Sequence, residues 1–136
     1  RQVVCLGRTA SAERFTRGEW RQRIEIVRGE ALLWSERAVL RGDSPLLSSV
    51  AGLNGAPVFG TFVAMPSALP AELLSTSRAL APAEGEGAVT RLPHALVARY
   101  RGHSMEAAHA YFAALWTAVR PALTGRAAVP PRIWAT

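Results

Sequence analysis

A mainly β fold with two helices in the carboxyl-terminal half, α+β by composition, is what this sequence predicts. Three observations carry it. Glu19–Val27 and Ala31–Leu40 alternate apolar and polar residues with period two, the pattern of half-buried strands. Val58 to Met65 (VFGTFVAM) is an apolar run rich in β formers. From Ser104 to Pro121 the apolar residues instead recur at helical spacing.

Taken in order, Gln2 to Gly7 is a β-branched run closed by glycine, a short strand, and Thr9 to Glu13 is small and polar, a turn. In the next stretch Trp20, Gln22, Ile24 and Ile26 share one face, and Arg21, Arg23 and Glu25 the other. Arg28-Gly29-Glu30 has turn chemistry, after which Leu32, Trp34, Ala38 and Leu40 lie on one face with Glu36 among them. A hairpin is the simplest account. Gly42 to Thr61 then carries four glycines and two prolines with Asp43 as its only charge. Bulky apolar residues sit between the breakers, so the segment reads as an ordered connection rather than a flexible linker. Gly52, Gly55 and Gly60 are expected at positive φ or at close backbone approaches.

After the Val58–Met65 strand, Ser67 to Leu80 suits a short helix, with Pro70 in its first turn and Leu69, Leu73, Leu74 and Leu80 near one stripe. Ala81 to Gly87 is a loop, and Ala88 to Arg101 returns to strand-like sequence interrupted at Pro93. The clearest helix begins at the N-cap Ser104, has Glu106 in its first turn and is expected to end at Pro121. Met105, Ala108, Phe112, Leu115, Val119 and in part Trp116 form its apolar stripe. The tail PPRIWAT carries Ile133 and Trp134, which should dock on something.

Length and apolar content fit one globular domain over residues 1–136. All 16 basic residues are arginine and the net charge is +6, yet the arginines are dispersed and no phosphate-tracking run is visible. An Arg-rich nucleic-acid-binding module is therefore the alternative reading rather than the leading one, and no nucleic acid is expected as partner. No apolar run reaches the roughly 18–20 residues that span a bilayer, so no membrane is expected either. The single Cys5, among Val3, Val4 and Leu6, fits a cytoplasmic protein and a buried small side chain.

Catalytic and ligand-binding constellations are weak. His94, His103 and His109 lack ligand-pair spacing, and Cys5 is remote from them, so no fixed metal site is expected. Gly102-His103-Ser104 lacks a nucleophile elbow, and Ser104 is better used as a cap. Gly85-Glu86-Gly87 lacks the Lys-Ser/Thr of a phosphate loop. Glu36 is the one carboxylate on an apolar strand face. Pairing with a hairpin arginine is the plain account, and lining an internal passage the sharper one. No catalytic residue is expected.

Six segments, GRTASAERFTRGEWRQRIEI, LLWSERAVL, DSPLL, AGLNGAPVFGT, GEGAVTRLPHALVARYRG and the closing PPRIWAT, occur in this order along the chain. Together they resemble the carboxyl-terminal half of the urease accessory protein D family, called UreD or UreH. Members are about twice as long, so the amino-terminal half is expected to be missing here. The resemblance implies a mostly β, non-enzymatic maturation factor, a chaperone or scaffold. Such a factor works with accessory proteins F and G on apo-urease and helps insert nickel, with no stably bound cofactor. A water-filled passage has been proposed as the nickel route. Glu36 and Asp43 are the candidate lining, and Phe112, Trp116, Ile133 and Trp134 the candidate partner interface.

Overall fold

The computed structural model describes residues 1–7, 13–66 and 68–129. Among these residues six strands and two α-helices are formed: β1 (Gln2–Cys5), β2 (Glu19–Arg28), β3 (Ala31–Arg41), β4 (Val58–Ala64), α1 (Ala71–Ala79), β5 (Glu86–Leu92), β6 (Ala95–Gly102) and α2 (Met105–Thr124). The mainly β expectation with two late helices holds. The chain divides into two compact units, one of residues 1–5 and 58–136, the other of residues 6–57.

In the first unit an antiparallel sheet runs in the order β1-β4-β6-β5. Alternation along β4 and β6 places Val58, Phe62, Ala64, Leu96, Ala98 and Tyr100 on one face. Together with Ala107, Ala108, Tyr111, Phe112, Leu115 and Val119 of α2 they form the buried cluster. The helix lies against that face because its apolar residues recur every three to four positions, which makes one stripe. Leu69, Leu73, Leu74 and Leu80, in and around α1, close the cluster from its margin. Phe112 is fully buried, its ring 6.1 Å from Phe62 and 5.6 Å from Tyr111.

Both ends of α2 are explained by single residues. Ser104 Oγ accepts from the Ala107 N–H at 3.0 Å, and the Tyr100 hydroxyl donates to the Ser104 carbonyl at 3.1 Å. Pro121 does not end the helix, contrary to expectation. One further turn forms, and Gly125, at φ 65, closes it with its N–H on the Pro121 carbonyl at 2.8 Å. A proline loses its own N–H and crowds the carbonyl four residues back, but its own carbonyl still accepts, so a left-handed glycine four residues later can stop the helix instead. The shorter helix also departs slightly from its expected span. It starts only at Ala71, with Pro70 preceding it as N-cap.

The second unit is built on the β2–β3 hairpin, whose turn places Gly29 at φ 58 between the paired Arg28 and Ala31. Trp20, Gln22, Ile24, Ile26, Trp34, Glu36 and Ala38 are half-buried and Leu40 is buried, while Arg21, Arg23, Glu25, Arg37 and Val39 are exposed. One residue breaks the expected pattern. Ile26 pairs with Trp34 but Val27 with Leu32, so Leu33 is an extra residue in the ladder. The bulge turns Leu32 outward beside Val27 and leaves Leu33 half-buried, the reverse of strict alternation.

The glycine-rich connection is ordered by its own backbone. A 3-10 turn at Pro45–Leu47 is capped by Ser44, and Leu53 N–H to Leu46 O (2.8 Å) and Gly55 N–H to Leu47 O (2.7 Å) staple the loop behind it. A Cβ on Gly52 would collide with the Leu46 carbonyl, and Gly55 sits at φ 78. At Gly60, within β4, a Cβ would lie 2.7 Å from both the Gln2 carbonyl oxygen and the Phe112 ring. All three glycines thus meet one or other of the conditions expected of them. Cys5, expected to be buried, is instead exposed, at the end of β1, which among the described residues pairs with β4 alone. Among the described residues no helix is long and apolar enough to cross a membrane.

Candidate functional site

The two carboxylates proposed for ion passage differ in setting. Glu36, opposite Ile24 in the hairpin ladder, is half-buried and accepts a hydrogen bond from Gln22 Nε2 at 3.1 Å. Gln22 shares its strand face, two ladder positions away, so an amide of the same face helps to hold the carboxylate. Asp43 lies just past the end of β3 and is largely exposed, with Arg41 Nε 3.3 Å from its Oδ1. Among the described residues no group of three or more His, Cys, Asp or Glu side chains converges as a metal site.

The aromatic candidates separate as clearly. Phe112 has no exposed surface and belongs to the core, which corrects its expected place at a partner interface. Helical geometry decides this: Phe112 lies in line with Ala108, Leu115 and Val119 on the stripe facing the sheet. Trp116, one position round the helix, is half-buried against the same cluster, and the Arg120 guanidinium stacks over its ring 4.8 Å from the centroid. Ile133 and Trp134 lie outside the described residues.

The remaining polar groups are mostly structural. Glu84 accepts from the His103 backbone N–H at 2.9 Å, and Glu86 pairs with Arg101 at 2.7 Å across β5 and β6. The glycines beside them serve packing: a Cβ on Gly87 would come within 2.8 Å of the Tyr111 ring. Burial pushes the Tyr111 hydroxyl pKa up, and that of Tyr100 too, where Glu84 adds to the effect and the Ser104 carbonyl opposes it. His94, His103 and His109 are all exposed. The His109 pKa is lowered, first by partial burial and then by the charge of Arg1. Sequence reasoning missed the glycine–tyrosine contact at Gly87, since no local pattern says which ring will cover which glycine.

The hairpin arginines are held close to home. Arg21 pairs with Glu19, and Glu25 sits 2.6 Å from Arg23 and 4.0 Å from Arg37, two cations that face each other directly in the ladder. A carboxylate between two opposed guanidiniums relieves their repulsion and takes up charge a phosphate backbone would need.

A family model described as UreD urease accessory protein matches residues 2–135. The chain belongs to the UreD family. Urease accessory protein UreD of Azoarcus sp. (strain BH72) is 44% identical over 135 residues, covering 99% of this chain and 47% of the relative. Those of Dechloromonas aromatica (strain RCB) and Nitrosococcus oceani are 43% and 46% identical, covering 98% of this chain in each case and 48% and 45% of their own lengths. This UreD-family chain therefore spans about half the length of the curated relatives it matches, and corresponds to their carboxyl-terminal half.

Proposed function

We propose that this chain works in urease maturation, as part of a non-catalytic scaffold. In that reading it acts with accessory proteins F and G on apo-urease to help bring nickel to the urease active site. The observation that carries the reading is the family match from residue 2 to residue 135. Nickel is cargo in transit rather than a resident cofactor, and the protein works in the cytoplasm.

Two features give the reading physical form. Carboxylate oxygens that hold a divalent ion weakly and singly suit passage better than storage, and Glu36 and Asp43 are the residues offered for that role. Trp116, half-buried beneath Arg120, retains aromatic surface for a partner, and Ile133 and Trp134 extend that candidate surface on sequence grounds. The arginine pairings weigh against the nucleic-acid alternative, because Arg21, Arg23, Arg37 and Arg41 of the hairpin already face carboxylates.

The test is co-purification from a strain that carries a urease gene cluster, using the full-length form of the protein as bait. Accessory protein F and apo-urease should be recovered together with it. Recovery of neither, with the bait soluble and folded, would sink the proposal.

A further inference from the structure

We draw no further inference here: the strongest candidate, the exposed apolar row of Val27, Leu32 and Val39 on the arginine-bearing face of the β2–β3 hairpin, is an unpartnered face, and nothing in the structure shows what covers it.

Discussion

Phe112 and Trp116 stand one helical turn apart and carry opposite expectations. Phe112 is wholly buried against Phe62, so Phe112→Ala removes a packed ring and leaves a cavity. The expected loss is about 3–5 kcal/mol of unfolding free energy, read from urea denaturation. A loss below about 1 kcal/mol would mean the ring is not in the core. Trp116→Ala should cost less stability, since part of that ring is already in water. Its effect is expected instead as weaker recovery of partner proteins. Gly60 reports on the same ring from below. Gly60→Ala would push a methyl to 2.7 Å from both Phe112 and the Gln2 carbonyl, which neither sheet nor helix can yield cheaply. It should lower stability by roughly 1–3 kcal/mol, as overpacking does. An unchanged melting temperature would contradict that close approach. Tyr111 offers the reverse case. Its hydroxyl is buried with no hydrogen-bond partner among the described residues, so Tyr111→Phe should be neutral or stabilising by up to about 1 kcal/mol. A clear loss in the melting temperature would reveal a partner for that hydroxyl.

At the scale of elements, α2 is held by its ends as well as by its stripe. Ser104→Ala removes the side-chain acceptor for the Ala107 N–H while leaving the Tyr100 bond to the Ser104 carbonyl in place. The expected cost is about 1 kcal/mol, measured by thermal unfolding, with Ser104→Asp restoring most of it. Failure of Asp to rescue would show that the hydroxyl does something other than cap. The hairpin depends on sequence in a different way. Its half-buried face was legible from Trp20, Ile24, Ile26 and Trp34 because alternation is a local property of a pleated strand. Leu32 was misread because one extra residue in the ladder reverses every face beyond it. Pro121 was misread for a related reason. Where a helix stops depends on whether a later residue can close it, and Gly125 can.

For the whole molecule the candidate site was only partly legible. Glu36 stood out as the one carboxylate on an apolar strand face, and Asp43 as the only charge between Gly42 and Thr61. Their settings did not: Glu36 rests beside Gln22 and Asp43 beside Arg41, and neither partner follows from spacing alone. Those settings make a clean functional test. Asp43 is exposed and outside the core, so Asp43→Ala in the full-length protein should fold normally and still recover accessory protein F. If Asp43 helps pass nickel, urease activation in that strain should fall several-fold. Glu36→Gln, which keeps the shape and most of the hydrogen-bonding capacity beside Gln22, should act the same way. Full activation by both variants would return the two residues to architecture and leave the scaffold reading untouched.

By itself the sequence determined the family, the mainly β class, the hairpin, the ordered glycine-rich connection and the α2 stripe with its Ser104 cap. Each of these is written in residues close together along the chain, where periodicity, capping and turn chemistry act. Only the tertiary structure decided the sheet order β1-β4-β6-β5, in which β1 meets a strand more than fifty residues away. It also decided the burial of Phe112 over Gly60, the exposure of Cys5 and the partner of Glu36. These are contacts between distant segments, and their energies depend on which surfaces meet when the chain closes on itself.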